Sequence, residues 1–316
     1  IYKEIQSEFD LGIKQNGSIY LASSDQELGL IEELAEINRS NDYPSELWTR
    51  AKCLENYSAL NPEYCKGALF FPEEISVDPR YMIHEIHERL KTDANFSIFY
   101  KTKATKVESE RNICKIYDQF GNSFESEKVI ICSGAEFETL YPELFLESDL
   151  ELVKLQMLRL KAQQKTFIPG NILTGLTIRR YESFQECPSF EAIKATENED
   201  SFWKRWSIHI LFKQDADGTV VLGDSHEYAD VDQKDNIDFL MNYEVNEYFV
   251  DEAKKIMHLD NWEIDSTWLG LYTQCKDSDL FQKTIGDNVH IITGIGGKGM
   301  TGSAGFSLEH INKLYA

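Results

Sequence analysis

Five glycines fall within nine residues near the C-terminus: Gly294, Gly296, Gly297, Gly299 and Gly302. They follow the apolar, β-branched run Val289-His290-Ile291-Ile292-Thr293, and a segment of helical character continues to Leu314. That order reads as a strand, a tight turn and the N-terminus of a helix. Glycine admits a ligand close to the backbone because no Cβ stands in the way. Each one also costs conformational entropy on folding, so five together need a reason. The first N–H groups of a helix lack internal partners and carry partial positive charge. The combination suits a phosphate or the electron-rich edge of a ring. Lys298 either strengthens that field or is an ordinary solvated lysine. It is followed by Gly299 and Met300, which excludes a Walker A loop, where Ser or Thr must follow Gly-Lys.

Other residues with chemical potential are scattered. Arg179 and Arg180 sit in Gly175-Leu176-Thr177-Ile178-Arg179-Arg180-Tyr181, which reads as a strand. Adjacent strand residues face opposite sides, so only one arginine can enter a given pocket, and periodicity does not choose. His209 lies in a second strand-like run, Trp206 to Phe212, where it is as well explained by a satisfied, partly buried histidine as by a ligand contact. His226, in Asp224-Ser225-His226-Glu227, either pairs with Glu227 or lines an entrance. Gln156 and Lys154 share one face of the alternating run Val153 to Leu160, from which Gln156 can reach a pocket. His84 and His87 are spaced i, i+3 on a helix, but no third ligand accompanies them, and no metal site is assigned. The six cysteines form no CxxC pair, so zinc and dithiol redox chemistry have little support, and reduced thiols point to the cytoplasm.

Several elements must position these groups. Gly12 to Ala22 reads as a hairpin turning at Asn16-Gly17. Ser24 and Glu27 form a capping box ahead of Leu28, Ile31, Leu34 and Ala35 at helical spacing. A second helix is expected over Thr49 to Tyr57, and Gly67 to Phe71 is a short buried strand. Asp78-Pro79 starts a helix, with Asp78 at the cap and Pro79 at the first position. Strands are expected at Phe96–Phe99, Thr105–Glu108 and Ile113–Asp118. Lys128 to Cys132 is continuously apolar beyond its lysine, as in a strand covered on both faces, and runs into Ser133-Gly134. From Leu152 onward, long alternating strands suggest an antiparallel sheet with one wet face. A helix from about Asn236 to Met257 and a strand from Trp262 to Tyr272 follow.

The 316 residues suffice for a large core and two domains. With 32 basic and 54 acidic residues the net charge is −22, which disfavours nucleic acid and anionic membrane surfaces. No apolar run has the length of a membrane span. The chain opens without Met in what reads as the end of an amphipathic helix (Ile1, Ile5, Phe9), so a preceding segment is expected.

The ordered set of motifs resembles the FAD-dependent oxidoreductases of the D-amino-acid oxidase, glycine oxidase and sarcosine oxidase superfamily. The resemblance rests on Val77-Asp78-Pro79, Thr105-Lys106-Val107, Ile130 to Ala135, Trp268-Leu269-Gly270 and Gly294 to Thr301, and covers essentially the whole chain. Within the superfamily the chain looks most like a bacterial subgroup assigned to phosphonate metabolism, through Leu155-Gln156-Met157, Thr177 to Tyr181, Cys187-Pro188-Ser189 and Gly223 to Tyr228. Two features depart from the pattern. No GxGxxG precedes Gly294, so the cradle for the FAD pyrophosphate is missing from this polypeptide. And where the glycine oxidase branch places an Arg for the substrate carboxylate, this chain has Tyr272.

The resemblance implies an α/β fold: an incomplete Rossmann-like FAD-binding domain (1–12, 76–147 and 276–316) interleaved with an antiparallel-sheet α+β substrate domain (13–75 and 148–275). It implies FAD contacts at Val107, Ser133, Gly134, Gly294, Gly296, Gly297, Lys298, Gly299, Met300 and Thr301. It also implies a small anionic amine, such as an aminophosphonate, held by Arg179 or Arg180 with Gln156, His209 and Tyr272. Arg180, His209, Tyr272 and Lys298 are the residues expected nearest the chemistry, in which a hydride passes to the flavin and the resulting imine hydrolyses. The alternatives are an ordinary oxidase of glycine, sarcosine or D-amino acids, a non-catalytic remnant that binds an anion, and one subunit of a heteromeric oxidase. A homo-oligomer is compatible with all of these.

Overall fold

The computed structural model describes residues 1–316. The first third of the chain forms α1 (Tyr2–Glu8), β1 (Ser18–Ala22), α2 (Asp25–Ser40), β2 (Glu46–Thr49), α3 (Arg50–Asn56), β3 (Gly67–Phe71) and α4 (Pro79–Leu90). The middle forms β4 (Ala104–Glu110), β5 (Ile113–Asp118), β6 (Ser123–Ser126), β7 (Val129–Ile131), α5 (Pro142–Leu146), β8 (Leu150–Leu160), β9 (Asn171–Leu173) and α6 (Gly175–Ile178). The last part forms α7 (Phe190–Lys194), α8 (Phe202–Arg205), β10 (Leu211–Gln214), β11 (Val220–Asp230), α9 (Tyr243–Ile256), β12 (Ile264–Cys275), β13 (Phe281–Ile285), β14 (Val289–Thr293) and α10 (Gly299–Leu314).

These strands make one large sheet and two small ones. The large sheet runs β12-β8-β11-β10-β9-β1-β3-β2. It is antiparallel except where β1 pairs with β9 in parallel, so the expectation of an antiparallel sheet holds with one exception. A three-stranded sheet orders β13-β14-β7, and β4-β5-β6 is a meander. The overall class is the mixed α/β fold the sequence implies.

Both faces of the large sheet are packed, by different helices. One face buries Ile19, Leu21, Leu158, Leu160, Phe212 and Leu222 against Val245, Phe249, Ala253 and Ile256 of α9 and Cys53 of α3. The other buries Tyr20, Leu69 and Leu173 against Leu30, Ile31 and Leu34 of α2 and Ile193 of α7. Strand alternation sorts side chains to the two sides. The apolar cover on the α2 side includes no residue of β8, β11 or β12, and that part of the face carries polar and aromatic groups instead.

Local signals account for many elements. Ser24 caps α2 by accepting from the Glu27 N–H at 3.2 Å, and Asp78 caps α4 with Pro79 at its first position. The expected hairpin at Asn16-Gly17 does not form. Lys14 bridges Ser76, and β1 pairs with β3 and β9, because partners distant in sequence bury β1 completely and a local hairpin would not. The segment 175–181 is not a strand: Thr177 and Ile178 close helical turns on Thr174. Trp206 to Ile210 precedes β10 instead of belonging to it, Phe96–Phe99 is not a strand, and α9 begins only after the Asn242 cap. β7 is covered on one face only. Ile131 is buried, but Ile130 is exposed.

One ion pair ties the two halves of the α2-side core together. Glu27 is 4% exposed and accepts from the Ser23 N–H and hydroxyl at 2.8 and 2.7 Å and from Arg179 Nε at 3.0 Å. A Cβ at Gly175 would meet the Glu27 carboxylate at about 2.4 Å, as an added atom there has no room. Removing one partner of a buried pair strands the other charge, at a cost of about 3–5 kcal/mol. Glu27→Ala is therefore expected to lower the free energy of unfolding by that amount in a urea titration.

Candidate active site

β14 delivers its backbone into Gly294, whose φ of +74° and missing Cβ both matter. An added Cβ would lie 2.5 Å from Leu150 Cδ2. The Gly294 N–H donates to Thr273 Oγ1 at 3.2 Å, and the Thr293 hydroxyl donates to the Gly134 carbonyl at 2.9 Å. The expected cofactor turn at Ser133-Gly134 is thus tied to the glycine cluster, although the Ser133 hydroxyl itself donates to Glu136 O at 3.1 Å. A single tight turn, Gly296–Lys298, then feeds α10.

The mouth of α10 is open. Gly294 to Lys298 line a cavity of about 550 Å³ together with Glu151, Glu182, Gln274 and Asp279. A Cβ added at Gly297 or at Gly134 would meet nothing within 4 Å. Internal packing therefore gives no reason for glycine at position 297, whereas close approach of a ligand does. Met300 is exposed, and its carbonyl accepts from the Tyr2 hydroxyl at 2.6 Å. Gly299 packs on Ile295, and Thr301 is exposed in the first turn of α10. Lys298 is already paired, with Asp279 and Glu182 at 3.0 Å each, and these partners hold its ammonium above the usual lysine range. Val107 lies apart, on β4, and packs against the core around Cys114 and Ile131.

A second cluster occupies the uncovered part of the large sheet. Register places His226 opposite Leu155, Tyr228 opposite Val153, and Tyr272 also opposite Val153. His226, Tyr228 and Tyr272 therefore share one face. His226 stacks on His209 with ring centroids 5.5 Å apart, and Tyr272 stands edge-on to His226 at 6.5 Å. The register of β11 shifts between Gly223 and Ser225. Such a bulge re-aims a side chain, here the Asp224 carboxylate, which lies 2.5 Å from His209 Nε2 and 3.6 Å from His226 Nε2. Arg180 donates to the Ser207 carbonyl at 2.9 Å and to the Tyr228 hydroxyl at 2.5 Å. Ser207 has φ +44°, uncommon for a residue with a side chain. The same Ser207 carbonyl accepts from His226 Nδ1 at 3.2 Å.

Charge is balanced within this cluster. Burial opposes ionisation of Asp224, but His209, His226 and Arg180 outweigh it and hold the carboxyl at about 2. Burial pushes His226 down to about 4 against the pull of Asp224. Burial likewise pushes Tyr181 up to about 12 and raises Tyr272 well above the usual phenol range. At neutral pH the cluster therefore holds a carboxylate, a guanidinium, a neutral His226 and undissociated phenols.

The two clusters share a wall. Gln274 lies two residues beyond Tyr272 on the same face of β12, bridges Ile295, and would be 3.1 Å from a Cβ at Gly296. On the other side Glu182, two residues after Arg180, holds Lys298. Of the residues expected around the substrate, Arg180, His209 and Tyr272 are brought together. Arg179 is not; it is spent on Glu27, and because 175–178 is helical the strand-based choice between the two arginines does not apply. Gln156 is not part of the cluster either. It projects from the opposite face of β8, accepts from the Asn242 N–H and donates to Asn242 O and Asn246 Oδ1, anchoring α9. Lys154 on the same face pairs with Glu227 and Asp238. The site also takes in Asp224, Ser207, Tyr228 and Tyr181, which residue type alone does not mark; the break in alternation at Gly223-Asp224 is a sequence signal for Asp224 only.

A family model described as FAD dependent oxidoreductase matches residues 1–309. None of the curated proteins matches the chain. Among solved structures the fold is similar to glycine oxidase from Geobacillus kaustophilus, at 14% identity and a TM-score of 0.70, covering 94% of this chain and 70% of that one. It is similar to L-proline dehydrogenase from P. horikoshii, at 17% identity and a TM-score of 0.71, covering 94% and 71%. It is also similar to L-alpha-glycerophosphate oxidase from Mycoplasma pneumoniae with FAD bound, at 12% identity and a TM-score of 0.71, covering 96% and 74%. The glycine-lined mouth of α10, the turn at Gly134 joined to it and the match along nearly the whole sequence lead to one conclusion: this chain belongs to the DAO family of FAD-dependent oxidoreductases.

Proposed function

We propose that the protein oxidises a small primary or secondary amine carrying an anionic head, an aminophosphonate in the first instance, with FAD as the acceptor. The observation that carries this reading is Arg180 bonded to Tyr228, which shares a sheet face with Tyr272, with Arg180 and Tyr272 each two residues from a residue that lines the cavity at the glycine turn, Glu182 and Gln274. The strand content supports a division into a cofactor domain built from 1–12, 76–147 and 276–316, and a substrate domain built from 13–75 and 148–275. No helix is long and apolar enough to cross a membrane.

Bound at the mouth of α10 by the backbone of Gly294 to Met300, FAD would supply the hydride-accepting chemistry. The residues of this chain bind, orient and stabilise. Amides at the mouth of α10 offer positive potential to the ring edge that gains negative charge, and they need no reorganisation when it does. Arg180 supplies a planar pair of donors to the anionic head, and the Tyr228 and Tyr272 hydroxyls give it further donors. Holding the head there fixes the distance of the amine carbon from the mouth. Tyr272 in place of an arginine leaves one cation for the head, and hydroxyl donors suit an oxygen-rich phosphonate at least as well as a planar carboxylate.

Addition of FAD to the purified protein is expected to give the perturbed absorbance of a bound flavin. Gly297→Val, which projects into open space, should leave folding intact and weaken FAD binding about tenfold or more, ~1.4 kcal/mol, read by quenching of flavin fluorescence. With aminoethylphosphonate the bound flavin should bleach anaerobically, and Arg180→Ala should raise the substrate concentration required by about 10–100-fold, as loss of a hydrogen bond to a charged group costs roughly 1.5–3 kcal/mol. Bleaching by glycine or sarcosine with indifference to phosphonates would replace the aminophosphonate with an ordinary amino acid. A flavin spectrum identical to that of free FAD, both for this chain alone and for this chain together with a GxGxxG-bearing segment or partner, would remove the oxidase reading altogether.

A further inference from the structure

We propose that His209, Asp224 and His226 form a binding site for a first-row divalent cation of the zinc type. One ligand atom from each residue lies within 4.8 Å of the other two. Two imidazoles and one carboxylate are a donor set such ions favour. The inference does not depend on the substrate or on FAD.

Three further observations support it. First, both imidazoles are anchored through the nitrogen that faces away from Asp224. His226 Nδ1 donates to the Ser207 carbonyl at 3.2 Å, and a carbonyl can only accept. The hydrogen is therefore on Nδ1, and the Nε2 lone pair of the neutral ring points to Asp224. His209 Nδ1 is 3.3 Å from the buried Thr177 hydroxyl, with Nε2 again towards Asp224. Outer partners of this kind orient metal-binding histidines, and the Ser207 carbonyl also fixes the tautomer of His226. Second, Asp224 Oδ1 is shut off from solvent, and His209 Nε2 lies 2.5 Å from it. A buried carboxylate oxygen is costly without a donor or a cation beside it, and an ion between Asp224 and the two imidazoles would take the place of the His209 proton. Third, bonds of about 2.0–2.2 Å place tetrahedral ligand atoms roughly 3.3 Å apart. His226 Nε2 is 3.6 Å from Asp224 Oδ2 and His209 Nε2 is 2.5 Å from Oδ1; these are different oxygens, so one ion shared by all three groups needs shifts of about 1 Å or more.

Charge limits the affinity. Arg180, held on Ser207 and Tyr228, is the nearby cation and opposes a second positive charge beside Asp224. Tyr181 and Tyr272, which pack edge-on against His209 and His226, contribute no charge.

The test is titration of chelator-treated full-length protein with Zn²⁺ by calorimetry and with Co²⁺ by visible absorption. One equivalent is expected, with Co²⁺ giving the intense bands of a low-symmetry nitrogen–oxygen site. Asp224→Asn and His226→Gln should each abolish stoichiometric binding, and Thr177→Val should weaken it about tenfold, as loss of an outer partner does. His84→Gln, at the exposed member of the histidine pair on α4, should change nothing. Near-ultraviolet circular dichroism of each variant separates lost binding from lost folding. If Asp224→Asn does not fold, the Thr177→Val and His84→Gln comparison decides. No stoichiometric uptake by the wild type, or uptake sensitive to His84 and indifferent to Thr177, overturns the proposal.

Discussion

A single ionised carboxylate, Asp224, is set into the face of the large sheet, and much of the surrounding structure answers to it. Burying a charge costs several kcal/mol unless partners surround it. The β-bulge that carries Asp224 breaks the register of β11 and turns the carboxylate towards two stacked imidazoles. Arg180 supplies the compensating positive charge without touching Asp224 directly. It does so from the C-terminal end of a short helix, held by a carbonyl whose residue sits in the left-handed region. The unusual backbone at Ser207 follows from this geometry: one carbonyl has to receive both Arg180 and His226.

The glycine turn answers a different demand. Its backbone must approach something large while the strand before it stays packed. Gly294 meets the second requirement and Gly297 the first, as the absence of space around one and the emptiness around the other show. β12 joins the two centres. Tyr272 belongs to the charged cluster and Gln274 to the glycine cavity, on the same face of the same strand. Glu182 and Lys298 close the arrangement from the other side. The two centres are therefore held in fixed relation by a continuous strand and an ion pair, although the cavity draws on residues from Glu151 to Lys298 and the charged cluster on residues from Thr177 to Tyr272.

Much of this was legible from the residue order. The capped helices at Ser24 and Asp78 and the strands at Gly67–Phe71 and Val289–Thr293 each carry their own local signal, and each forms as expected. The family assignment rested on several such signals in the right sequence. The errors share a cause. Asn16-Gly17 carries a hairpin signal, but β1 found partners elsewhere that buried all five of its residues. Thr177 to Tyr181 has β-branched and aromatic character, yet Gly175 sits against the Glu27 carboxylate and Arg179 must reach it, and only a helical turn satisfies both. Gln156 was assigned to the right strand, but which side of the sheet it would face could not be decided without knowing where α9 packs.

The sequence itself determined the open turn ahead of the last helix and the capped helices, because turn and cap preferences act over a few residues; the fold class and the cofactor follow from the family resemblance that the ordered motifs carry. It also named Arg180, His209 and Tyr272 as candidates by residue type. Only the tertiary structure decided that these three meet, that Arg179 and Gln156 do not join them, and that Asp224 and His226 do. Pairing between β8, β11 and β12 sets which face each side chain takes, and the cost of leaving a buried charge uncompensated selects its neighbours. Neither is a property of any short stretch of chain.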